Sequence, residues 1–143
     1  MEEEDVARLP LRTMLNGPLF FPHLFVLGVV CAAQYDGTNP PYFTACAMQW
    51  ILETGAQHLI CDLPSVDKES DGGGLVAHRT FWGLPPRGEA SDALKGPYSQ
   101  KTITELAYFD DERAPDGLYL VSLGVGPIAM DASPSRPTLF RLV

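Results

Sequence analysis

Two residues of this chain, His78 and Glu105, sit where apolar patterning says a polar side chain should not. His78 lies in LVAHRTFW, where Leu75, His78, Phe81 and Trp82 fall at i, i+3, i+6 and i+7 and so share one helical face. Glu105 lies in TITELAYF, where alternation places Ile103, Glu105, Ala107 and Phe109 on one strand face. A carboxylate turned inward forfeits hydration worth on the order of several kcal/mol and needs a cation or a donor in exchange. A histidine or a metal ion would serve. By itself, an inward histidine reads first as a neutral ring bonded to a carbonyl.

Other reactive types are present in weaker patterns. Cys31, Cys46 and Cys61 are odd in number and form no Cys-x-x-Cys pair, which argues against structural zinc and for three small buried hydrophobes in a reducing, cytoplasmic setting. Nothing near Cys61 supplies a base or positive charge to activate it. Gly72-Gly73-Gly74 lacks the Lys-Ser or Lys-Thr of a phosphate loop and the spacing of a dinucleotide site. Asp62, Ser65 and Asp67 read as turn formers whose oxygens accept backbone N–H bonds, in preference to a direct catalytic role. In DASPSRP, a rigid turn is expected to fix Arg136, which pairs with a substrate or, the preferred reading, with Asp131 as an ion pair.

The elements that position these groups alternate. Thr44 is a good N-cap, Ala47, Met48, Ile51 and Leu52 form a helical stripe, and Gly55 stands where a helix ends. His58 to Leu63 reads as a buried strand, followed by the His78 helix and a long exposed loop from Leu84 to Lys101. Phe81, Trp82 and Tyr98 are candidate aromatic walls of a pocket, with core packing preferred for the first two. Gly117 to Val125 is nearly continuous apolar sequence, expected as a strand buried on both faces, with Pro127 to Asp131 continuing it. The pattern predicts an α/β fold, a mixed β-sheet with flanking helices.

With 143 residues, the chain is long enough to bury about two-thirds of its unfolded surface. Its charge of −8 and lack of a basic run disfavour nucleic acid and anionic membrane surfaces. Leu19 to Ala33 is strongly apolar but shorter than the roughly 20 residues of a spanning helix, so no membrane span is expected. Three readings of this stretch stand in order: a segment foreign to the rest of the fold, a buried strand, and a secretion-signal core with Cys31 and Ala33 at cleavage positions. Residues 1–34 are accordingly set apart from a domain at 35–143, and a secreted location goes only with the third reading.

The segments ICDLPSVD (Ile60 to Asp67), LVAHRTFWG (Leu75 to Gly83), ITEL around Glu105 and GLYLVSLGVGPIAMDASPSRPTLF (Gly117 to Phe140) together resemble the cyclase family of metal-dependent hydrolases. That family includes bacterial-type kynurenine formamidase and isatin hydrolase. The resemblance covers most of residues 35–143. It implies a cyclase-type swivelling β/β/α fold, of which this chain resembles the carboxy-terminal part. It also implies that His78 and Glu105 are ligands of a divalent metal, zinc or manganese, which reverses the bland reading of His78. The implied activity is hydrolysis of a small arylformamide, as in conversion of N-formylkynurenine to kynurenine in tryptophan catabolism. A homo-oligomer is compatible with it. The family's His-x-Gly-Thr-His-x-Asp-x-Pro segment, source of the remaining ligands, is not among these residues; Asp36-Gly37-Thr38-Asn39-Pro40 has the Gly-Thr pair but no histidine. The alternative to an enzyme is therefore a catalytically inactive, truncated form or a non-enzymatic interaction protein with half the fold.

Overall fold

A computed structural model of the chain describes residues 23–27, 35, 40–88, 101–108, 113–115 and 117–142. Cys31, Tyr98, Phe109 and most of the 84–101 loop lie outside them. The described elements run β1 (His23–Leu27), α1 (Ala45–Glu53), β2 (Ala56–Cys61), α2 (Val76–Trp82), β3 (Thr102–Thr104), β4 (Tyr119–Val125) and β5 (Ser135–Arg141).

Helix α1 forms as its sequence requires. Thr44 caps it by accepting a hydrogen bond from Ala47 N at 3.2 Å. Met48 and Ile51 are buried, and Gly55 leaves the helix at φ 84°, a left-handed conformation that glycine adopts without strain. β2 then runs parallel between β1 and β3 in a three-stranded sheet of order β1-β2-β3. Each strand is added on the same side of the last, so right-handed crossovers put α1 and α2 on one face of the sheet. The two helices do pack on each other.

β2 is the centre of the molecule. Its Leu59 and Cys61 face the helices, joining Phe43, Met48, Ile51, Val66, Ala77 and Phe81, while Ile60 faces the other way toward Ala107, Val121 and Leu123. A strand covered on both sides reads as a continuous apolar run, which is why HLIC shows no alternation. The second cover is an antiparallel ribbon, β4 paired with β5, giving three layers: helices, parallel sheet, ribbon.

Several expectations are corrected. β4 is not buried on both faces: Tyr119, Val121 and Leu123 are half-buried, whereas Leu120 is 56% exposed and pairs across the ribbon with Phe140, 53% exposed. A two-stranded ribbon lying on a sheet has only one covered side, so unbroken hydrophobicity did not distinguish it from a central strand. Pro127 to Asp131 is a connection, not a strand, and the rigid-turn segment feeds directly into β5 at Ser135. β3 ends at Thr104 because Leu106 takes a left-handed φ of 55°, breaking the alternation. Five residues of the 19–33 stretch, His23 to Leu27, are a sheet strand, so the second of its three readings describes them as far as strand is concerned. Among the described residues no helix is long and apolar enough to cross a membrane.

Leu59→Ala, at a site with no exposure, should cost about 2–5 kcal/mol in denaturant unfolding, while Leu120→Ala should stay within about 0.5 kcal/mol. His58 donates or accepts through Nδ1 with Thr102 Oγ1 at 2.9 Å, and its burial holds the ring below the ordinary histidine range. The fold therefore favours the neutral ring. Its contribution is fully present above the unfolded value of 6.5 and fades as pH falls through the lower folded value. His58→Gln should make the acid limb of the stability curve below pH 6.5 shallower.

Candidate functional site

Neighbouring parallel strands end at the same edge of the sheet and release their downstream segments there. β2 and β3 pair His58 with Thr102 and Ile60 with Thr104, so the turn after β2 and Glu105 after β3 emerge together. α2 begins at that edge as well, placing His78 in its first turn beside them. Ligand sites of open α/β sheets favour this carboxyl end.

The turn after β2 is held from both sides. Val66 donates its N–H to Glu105 Oε1 at 2.6 Å and accepts from Phe43 N at 2.8 Å, with its side chain fully buried. One residue on, Asp67 is 5% exposed. Its Oδ1 accepts the N–H of Ala77, and its Oδ2 lies 2.6 Å from His78 Nδ1 and 3.5 Å from His78 N. Asp67 thus caps α2 from a distant point in the chain, where the helix dipole favours an anion. The preceding residue, Leu75, has a left-handed φ of 50° and supplies no side-chain cap.

An ionised carboxylate only accepts hydrogen bonds, so His78 Nδ1 carries the proton that Asp67 receives. The other ring nitrogen, Nε2, faces Glu105 Oε1 at 3.5 Å. His78 and Glu105, 27 positions apart, thereby meet with 17% and 27% of their side chains exposed. A neutral imidazole would aim a lone pair at a carboxylate, an arrangement that calls for a cation between them, either a ring proton or a metal ion. Trp82 packs on the imidazole with ring centres 5.3 Å apart. Trp82 Nε1 donates to Lys101 O at 3.3 Å, and Lys101 Nζ returns a bond to Phe81 O at 3.2 Å. These bonds lock α2 to the start of β3 and so fix His78 relative to Glu105.

His78 and Glu105 are the side chains here that present donors toward one point, with Asp67 behind His78. Among the described residues, no three His, Cys, Asp or Glu are grouped to hold a metal. Asp67 accepts a backbone N–H, as expected, but from Ala77 in α2 and not within its own turn, where Ser65 Oγ accepts from Asp67 N at 3.1 Å. The 11-residue separation from His78 gave no local signal. The helical stripe was half right, because Ala77 and Phe81 are the buried residues of α2 and Leu75 is 42% exposed. Phe81 is core, which leaves Trp82 as the described aromatic at the site.

Elsewhere the candidates are structural. Gly72 to Gly74 form no phosphate cradle, since Asp71 itself accepts Gly73 N at 2.7 Å and Leu75 N at 2.6 Å. Those bonds hold the Asp71 carboxyl below its usual range. Asp131 and Arg136 form no ion pair; Asp131 Oδ1 accepts from Ala132 N instead. Of the two described cysteines, Cys61 is buried but Cys46 is exposed on α1.

No family model, curated protein or solved structure matches this chain. The resemblance to cyclase-type hydrolases therefore rests on the short motifs themselves.

Burial pushes the Cys61 thiol up to about 12, with Glu105 and Asp62 adding to the effect. The thiolate is the reactive form, so iodoacetamide at pH 8 should label Cys46 readily and leave Cys61 unmodified until the protein unfolds. Peptide mapping reads the result.

Proposed function

We propose that this chain carries one half of a metal-dependent amide hydrolase site of the arylformamidase kind, within a cyclase-type fold. The observation that supports it is the meeting of His78 Nε2 and Glu105 Oε1 at 3.5 Å, with Asp67 fixing the imidazole. Two donors of a tetrahedral zinc ion stand about 3.3 Å apart when each is about 2.0–2.1 Å from it. The donor set thus fits zinc, and histidine with carboxylate equally accepts manganese. A divalent ion held there would supply Lewis acidity toward a formyl carbonyl and acidify water.

The chain's own residues supply orientation. Asp67 selects the tautomer with Nε2 open, the carboxylate–histidine arrangement that raises ligand basicity. The Val66 N–H anchors one Glu105 oxygen, and Trp82 limits the movement of the ring.

A catalytic zinc normally has three protein ligands and an open position. Two recognised ligands fall short of that number, and the lack of the His-x-Gly-Thr-His-x-Asp segment among these residues supports the second reading, a catalytically inactive, truncated form or a non-enzymatic interaction protein with half the fold. The 143 residues should therefore bind Zn²⁺ or Mn²⁺ weakly and hydrolyse N-formylkynurenine little or not at all. His78→Ala and Glu105→Ala should each abolish the weak binding in calorimetric titration. Asp67→Asn should weaken it about 10–100-fold. Tightly bound stoichiometric metal with robust turnover would overturn the half-site reading. Metal affinity unchanged in all three variants would overturn the ligand assignment.

A further inference from the structure

Seven described residues take a left-handed φ, and five of them are glycines, Gly55, Gly72, Gly73, Gly83 and Gly88, which adopt it without strain. The other two are Leu75 at 50° and Leu106 at 55°. A leucine is strained there, because its Cβ crowds the following carbonyl oxygen. Both flank the candidate site: Leu75 lies one helical turn before His78, and Leu106 directly follows Glu105.

Both strained conformations are held by their surroundings. Leu75 donates its N–H to Asp71 Oδ2 at 2.6 Å and accepts from Arg79 N at 2.8 Å. Leu106 donates to Leu63 O at 3.0 Å, and Ala107 beside it to Cys61 O at 2.9 Å. Backbone strain fixed in this way clusters at functional sites. Leu75 also stands at the N-cap of α2 without a capping side chain, a position that favours Ser, Thr, Asn or Asp. Asp67 does the capping instead, which leaves the position to an apolar residue. Neither leucine serves the core: Leu75 is 42% and Leu106 54% exposed. Val76 and Tyr108 nearby are exposed as well, so both segments that form the His78–Glu105 pair carry apolar side chains in solvent.

We propose that Leu75 and Leu106 are specificity-determining residues, which take the apolar body of a small ligand whose polar head meets the ion held by His78 and Glu105. The inference rests on the metal-site reading and deepens it by assigning the contacts to the rest of the ligand. Leucine methyls offer no hydrogen bond, so what they select is apolar surface. In a continuing strand, residue 106 would turn to the face opposite Glu105, and the left-handed Leu106 ends that alternation. Trp82 adds an aromatic surface beside the imidazole. A formamide carried on an aryl group has the two-part character such a site selects.

The test is an NMR titration of the full chain, at fixed free Zn²⁺, with benzohydroxamate and with acetohydroxamate. Both present the same chelating oxygens and differ in phenyl against methyl. Benzohydroxamate should bind about tenfold tighter, the lower end of what an apolar contact contributes to discrimination. Leu75→Asn and Leu106→Asn should each bring the ratio of the two affinities toward one, while Leu106→Met keeps it. Leu120→Asn, on the ribbon and 56% exposed, should leave the ratio unchanged. Asparagine tolerates the left-handed region better than leucine, so neither Asn variant should melt below the wild type. Equal affinities in the wild-type protein, a ratio that survives both Asn substitutions, or a marked loss of melting temperature in them would overturn this inference and leave the metal site standing. Hydroxamate binding that does not depend on zinc, or that His78→Ala leaves intact, would overturn the metal-site reading and this inference with it.

Discussion

Asp67 is the carboxylate on which the arrangement of the candidate site depends. Burying it would cost on the order of several kcal/mol if it stood alone. It stays because the first turn of α2 supplies N–H groups and His78 supplies a ring proton. The same bonds dock the helix, bridge its otherwise unsatisfied amino end and choose which imidazole nitrogen remains open. Val66, the residue before it, does the corresponding work for Glu105. Two neighbouring residues of one turn thus hold both halves of the His78–Glu105 pair.

The turn is rigid enough for this because β2 behind it is packed on both faces. Leu59 and Cys61 anchor it to the helices and Ile60 to the ribbon, so a shift of the turn would have to disturb both layers. That packing also explains the inert chemistry of Cys61: the group lies near Glu105 but has been given a dry, anionic neighbourhood that suppresses its thiolate. The reactive-looking residue serves the core, and the residues that looked like turn chemistry serve the site.

Local periodicity carried the sequence reading a good distance. The cap at Thr44, the stripe of α1 and the buried run of β2 come from spacing, because each is decided by neighbours within a few residues, whereas the single face expected for Ile103, Glu105 and Ala107 is split: Ile103 packs on the helix side and Ala107 on the ribbon side. The α/β class comes from their alternation. What failed depends on distant partners. Whether β4 has one covered face or two is decided by β5 and by Ile60, not by its own apolar run. The role of Asp67 is decided by a helix ten residues later, and the left-handed Leu106 by bonds from its N–H to Leu63 O and from Ala107 N to Cys61 O.

The central claim is that His78 presents an open Nε2 toward Glu105 while Nδ1 stays bonded to Asp67. Nitrogen-detected NMR of the histidine rings during Zn²⁺ titration tests it most directly. The expected result is a His78 ring with its proton on Nδ1, whose Nε2 resonance alone moves as zinc is added, with the Nδ1–H retained. A His78 ring protonated on Nε2 as the neutral form, or one left unperturbed while zinc perturbs other residues, would contradict it.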